Sequence, residues 1–162
     1  VSNVSAVPAL LDALVAALTA ALPAVTVYDG PGNTDDAPAD YLLVGVPDPD
    51  SDSSEASVES TVEWASLGAK SRYETSTVWC AAISWTGDTP NPANPSVMKT
   101  VRDRVFATFA AVEQTLVADP SLGDVARFGG IGSTHRTMQN ITADGTEAWV
   151  VFGLTFRARL SG

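Results

Sequence analysis

Along the N-terminal segment, Leu10, Leu11, Leu14, Val15, Leu18 and Leu22 recur at spacings of three and four, with alanines filling most of the gaps. Residues so spaced share one side of a helix, and the pattern predicts an amphipathic helix over residues 6–22, packed on a sheet. Ser5 is placed to cap it, Pro8 suits its first turn, and Pro23 ends it. Residues 25–28 read as a short strand stopped by the turn residues Asp29-Gly30-Pro31-Gly32. Residues 41–46 are an almost unbroken apolar run, as expected of a central strand buried on both faces.

Period two takes over further on. Val58, Val62 and Trp64 alternate with polar neighbours and predict a half-buried strand. From 72 to 86, Tyr73, Thr75, Thr77, Trp79, Ala81, Ile83 and Trp85 share one face, and the two strands form an antiparallel hairpin with its tip near 67–71. Helical spacing returns with Val97, Val101, Val105, Phe109, Val112 and Leu116, a second helix capped by Asn94 with Pro95 in its first position and ended by Asp119-Pro120. Residues 125–134, weakened as a strand by Gly129, Gly130 and Gly132, lead through 137–142 to the hairpin dipeptide Asp144-Gly145.

The last segment, 146–160, alternates cleanly. Ala148, Val150, Phe152, Leu154, Phe156, Ala158 and Leu160 face the core, whereas Trp149, Val151, Thr155, Arg157 and Arg159 point the other way. Bulky apolar groups on both sides predict a sheet covered on both faces, by helices or by a neighbouring molecule. The order α-β-β-β-β-α-β-β lacks regular βαβ alternation, so the expected fold is α+β: one mostly antiparallel β-sheet with two α-helices packed on it. A chain of 162 residues, 45% hydrophobic, is expected to form a single domain.

Charge sharpens this picture through its position. Nineteen acids against nine bases give a net charge of −10, and ten of the acids fall between Asp29 and Glu63, a stretch without Lys or Arg. The remaining nine acids match the nine bases, so the excess charge belongs to one window. A negative chain is unsuited to wrapping DNA, which requires a basic face. The apolar N-terminal segment carries Asp12 and two prolines with no basic residue before it, which argues against an export signal or a membrane span. One cysteine, Cys80, excludes an internal disulfide.

Candidate chemistry is sparse. The one histidine, His135, is expected in an exposed loop, and Cys80 sits mid-strand among Val78, Ala81 and Ala82, the setting of a buried, inert thiol. No nucleophile elbow, phosphate loop or dinucleotide fingerprint occurs, and one His with one Cys argues against a zinc site. No enzyme activity and no cofactor are expected. Asp48, Asp50, Asp52 and Glu59 have the acidic spacing of a calcium loop, and with it comes the alternative of a calcium-binding or adhesion module. Ser53 stands where such a loop needs glycine and Pro49 occupies its second position, so residues 47–57 read as a solvated acidic loop.

Several segments coincide with a known pattern. A Leu/Ala-rich helix runs into Val25-Thr26-Val27-Tyr28-Asp29-Gly30-Pro31, and a strand ends in Ser84-Trp85-Thr86-Gly87-Asp88. A second helix ends in Ala118-Asp119-Pro120-Ser121-Leu122-Gly123, and the Gln139 to Gly145 hairpin leads into Phe156-Arg157-Ala158-Arg159-Leu160. In this order and spacing, over nearly the whole chain, the sequence resembles the tail terminator proteins of long-tailed, siphovirus-type phages of actinobacteria, and the related head–tail joining or neck proteins.

The resemblance implies a structural virion protein, assembled in the host cytoplasm, that forms a ring, typically a hexamer, at the head-proximal end of the tail. Such a ring ends polymerisation of the tail tube protein and presents a surface to the head–tail connector proteins. Duplex DNA passes through it without specific binding, and no membrane is involved. A domain of this length has a radius of gyration of roughly 15 Å, and six in a ring leave a hole of about 40 Å, enough for duplex DNA. On this expectation Asp48, Asp50, Asp52 and Glu55 line the lumen and repel passing DNA. The competing placement sets these acids against Arg157 and Arg159 of a neighbour, with Trp149 also at the subunit contact.

Overall fold

The computed structural model describes residues 4–32, 37–47, 56–66 and 70–161. Two helices, α1 (Val7–Ala21) and α2 (Val97–Ala118), accompany six strands: β1 (Thr26–Asp29), β2 (Asp40–Val44), β3 (Val58–Trp64), β4 (Ser71–Thr86), β5 (Phe128–Thr142) and β6 (Gly145–Ser161). The order is the α-β-β-β-β-α-β-β read from the sequence, and the fold is α+β. Both helices lie on one face of a sheet ordered β1-β2-β4-β6-β5, with β3 also paired to β4. Only the β1–β2 pairing is parallel among these ladders.

The long strands carry the architecture. β4 and β6 pair without interruption from Ser71 opposite Ser161 to Thr86 opposite Thr146. β2 and β3 occupy successive stretches of the other edge of β4, against residues 80–84 and 72–78 respectively. The changeover lies at Trp79, whose carbonyl accepts the N–H groups of Gly45 and Val46 and whose own N–H donates to Ser57. Beneath the helices, Leu10, Leu14 and Leu18 of α1 and Val101, Val105, Val112 and Leu116 of α2 bury against Leu42, Val78, Cys80, Val150, Phe152 and Phe156. The helix stripes and the β6 face are those the two periodicities predict, whereas β4 turns Val78 and Cys80 to the helices and the alternating face with Trp79, Ala81, Ile83 and Trp85 away from them.

Local departures have identifiable causes. α2 begins at Val97 with Ser96 at its N-cap, not at Asn94, because Asn94 is bridged to Asn91, whose side chain accepts the N–H groups of Ala93 and Asn94 at 2.9 Å. The segments 125–134 and 137–142 merge into β5, which takes up a register shift against β6 between Ile131 and His135. His135 is therefore on a strand, although exposed as expected. β3 is not half-buried: only Val58 reaches the core, while Val62 and Trp64 are 46% and 69% exposed.

The start of α1 is held from across the fold. Ser5 Oγ accepts the Val7 N–H at 3.1 Å and donates to Glu74 Oε1 at 2.8 Å, while Glu74 Oε2 accepts the Ala6 N–H at 2.6 Å. The N-cap residue is thus Ala6, not Ser5 as the sequence suggests; Ser5 Oγ takes one N–H from just before it, and Glu74 of β4, only 3% exposed, supplies the stronger acceptor. A carboxylate at a helix N-terminus satisfies unpaired N–H groups and complements the helix dipole. Glu74→Ala is expected to destabilise the protein by about 2 kcal/mol, since it leaves a buried N–H without a partner. The midpoint of urea unfolding measures this, and an unchanged midpoint contradicts the assignment.

Candidate interaction surface

The face of the sheet away from the helices is where the sequence expected a second cover. No helix among the described residues packs there; the chain closes it with aromatic side chains. Tyr41, Leu43, Ala81, Ile83 and Val151 are buried at its centre, with Tyr28, Trp79, Trp85 and Trp149 packed against them. Register explains the grouping: Ile83 stands opposite both Tyr41 and Trp149, and Trp85 stands opposite Glu147. Trp85 and Trp149 are then diagonal neighbours, about 7–8 Å apart at the backbone and within reach of large rings.

A polar clamp on the helix side of the sheet holds the backbone beside this aromatic group. Arg104 of α2 forms a salt bridge with Asp40 at 2.8 Å, and its guanidinium also donates to the carbonyls of Ala39 and Trp85. Ser84 donates to the same carboxylate at 2.6 Å, and the Trp85 indole donates to the Pro38 carbonyl at 2.8 Å. Asp40, counted in the acidic window, is thus a paired structural residue. Burial first, then the nearby Glu147 carboxylate and the Tyr28 phenol, push the Tyr41 phenol above its ordinary pKa. A cleft of about 540 Å³ opens beside these groups, lined by Tyr41, Trp85, Trp149, Asp144 and Glu147.

Trp149, Arg157 and Arg159 all point to this face, as their spacing requires, but they do not form one cluster. Ten residues of strand separate Glu147 from Arg157, about 33 Å. At that far end the Arg157 guanidinium lies over the Tyr73 ring at 4.4 Å, and Arg127 lies over the same ring at 5.5 Å while donating to its hydroxyl at 2.7 Å. Arg159 is exposed and donates to Ser71 at 3.3 Å. Asp144 and Glu147 thus lie at one end of the face and Arg127, Arg157 and Arg159 at the other. Glu63 stands opposite Tyr73 among the arginines, and Arg136 opposite Val151 nearer the tryptophans. The indole nitrogens of Trp79 and Trp149 and Nε of Arg157 are buried without a hydrogen-bond partner.

Asp48, Asp50, Asp52 and Glu55 lie outside the described residues. Glu59, the last acid of the calcium-loop spacing, is exposed on β3 opposite Thr77. Among the described residues no three His, Cys, Asp or Glu side chains come together as a metal site, and no helix is long and apolar enough to cross a membrane. Cys80 is fully buried, and burial pushes its thiol up to about 12, where it carries almost no thiolate at neutral pH. His135 packs against Phe106 and Phe109, and Phe152 stands between it and Cys80 in the register. The two are not a nucleophile–base pair.

Sequence reasoning singled out Trp149 but not its companions Tyr41, Trp85, Asp144 and Glu147. The available signal was the phase of three strands: Tyr41, Ile83, Trp85, Glu147 and Trp149 share a face once the β2–β4–β6 order is known. No profile of a known protein family matches this sequence, and no curated protein matches it either.

Proposed function

We propose that the chain is a structural virion protein of a long-tailed phage, a tail terminator that forms a ring at the head-proximal end of the tail tube, ends tube polymerisation and joins tail to head. The observation that carries this reading is the division of labour across the sheet. One face holds the helices and the main core, while the other offers aromatic groups, with carboxylates at one end and a group of arginines toward the other. Opposite charges separated on one surface suit oriented association between protein subunits. The ordered segments that resemble tail terminators fall mostly at the ends of these elements, where β1, β4 and α2 run into their turns and where β5 turns into β6.

Negative-stain imaging and mass measurement of the purified protein are expected to give hexameric rings with a central hole. A protein that stays monomeric and also fails to enter assembled tails contradicts the reading. Within the ring, Asp48, Asp50, Asp52 and Glu55 are proposed to face the lumen, where a negative wall lets DNA slide without adhering. Replacing Asp48, Asp50 and Asp52 by lysine is then expected to slow DNA ejection while leaving assembly intact; normal ejection from normally assembled particles refutes the lumen placement.

A further inference from the structure

The cleft at the end of the open sheet face that carries Asp144 and Glu147 has walls and charges of a particular kind. Tyr41, Trp85 and Trp149 supply aromatic surface, and Asp144 and Glu147 supply carboxylates. Glu147 accepts a hydrogen bond from Asn140 at 3.3 Å, and neither carboxylate takes part in the salt bridges of the described residues. The Trp149 indole N–H, at the same cleft, is buried without an acceptor, a need that a backbone carbonyl of a bound chain meets and a guanidinium, which only donates, does not. Aromatic faces attract cations through their quadrupoles, and carboxylates add direct charge attraction.

We infer that this cleft binds an arginine side chain presented by a partner protein. A guanidinium is planar, stacks on tryptophan and tyrosine rings and donates in a fork to carboxylates, so both kinds of wall favour it over the compact ammonium of lysine. The volume lies within the roughly 300–1,000 Å³ typical of ligand pockets and leaves room for residues beside the arginine. Charge complementarity points the same way, because Asp144 and Glu147 place two carboxylates at the cleft. The Arg104 clamp and the Trp85–Pro38 hydrogen bond hold part of the wall in place before anything binds, which reduces the ordering cost. This inference does not depend on the tail reading, and either can fail alone.

The test is a nuclear magnetic resonance titration of the full chain, following its indole N–H signals, assigned with Trp85→Phe and Trp149→Phe. The probes are N-acetyl-arginine methylamide, the lysine equivalent, and the citrulline equivalent as an uncharged isostere. The arginine probe is expected to shift the Trp85 and Trp149 signals saturably in the millimolar range, the lysine probe more weakly and the citrulline probe not at all. Glu147→Gln is expected to weaken arginine binding at least about tenfold, the loss of one charged hydrogen bond. If that variant does not fold, the salt dependence of the wild-type titration replaces it, and binding must weaken as salt rises. Equal responses to arginine and citrulline, or no saturable shift at these two indoles, overturn the proposal. Indole shifts that follow protein concentration without any probe make the occupant a second copy of this chain and overturn the assignment to a different protein.

Discussion

Phe152→Ala is expected to cost about 3–5 kcal/mol of stability, much of what a domain of this kind has to spare. Phe152 is 1% exposed on β6, a strand hydrogen-bonded on both sides, to β4 and to β5. Its ring packs on Phe109 of α2 at 4.7 Å, and Phe109 in turn meets His135. Truncation leaves a cavity between helix and sheet, and a strand fixed by two ladders cannot move in to fill it. Phe152→Leu retains most of the volume and is expected to cost less than half as much. Urea unfolding of both variants, read as a change in midpoint at constant slope, makes the comparison. A loss below about 1 kcal/mol for the alanine variant contradicts the packing described.

Gly145→Ala is expected to be the next most damaging change, at roughly 3 kcal/mol or more. Gly145 opens β6 with φ at +147°, a conformation that side-chain-bearing residues rarely adopt. A Cβ there lies 1.9 Å from the Thr86 carbonyl oxygen and 2.9 Å from Gly87 Cα, so the backbone itself must move. Gly30, with φ at +89° and nothing within 4 Å of a Cβ, provides the contrast. Gly30→Ala bears only the backbone strain, about 1–2 kcal/mol. Parallel melting experiments on the two variants test the difference, and equal losses contradict the close approach at Thr86. Because Asp144, Thr146 and Glu147 line the cleft, Gly145→Ala is also expected to disturb the shape of that site.

What the sequence reveals about this fold depends on how far the responsible interaction reaches. The stripes of α1 and α2 and the alternation of β4 and β6 are properties of adjacent residues, and the structure has them within two residues of the expected bounds. The Asp144-Gly145 turn is equally local. The cap on α1 is not, because Glu74 reaches Ala6 across 68 positions of sequence and looks from its neighbours like any charged residue on an alternating strand. The exposure of β3 is likewise hidden, since its apolar spacing is correct but only Val58 packs against the core. Asn94 does not cap α2 because its partner, Asn91, sits three residues away outside the helical pattern.

The same distinction governs the candidate surface. That Trp149 faces away from Phe152 follows from strand alternation alone. That Tyr41, Trp85 and Glu147 join it follows only from strand order, in which β2 and β6 flank β4. The separation of Trp149 from Arg157 and Arg159 is a matter of strand length, and it makes the proposed contact two surfaces instead of one.

The most direct measurement is electron imaging of phage particles assembled with this chain carrying a small terminal label. The account predicts label density in a ring at the junction of head and tail, between the last tube layer and the connector, with DNA passing through its centre. Label distributed along the tube, confined to the distal tip, or missing from intact particles contradicts it.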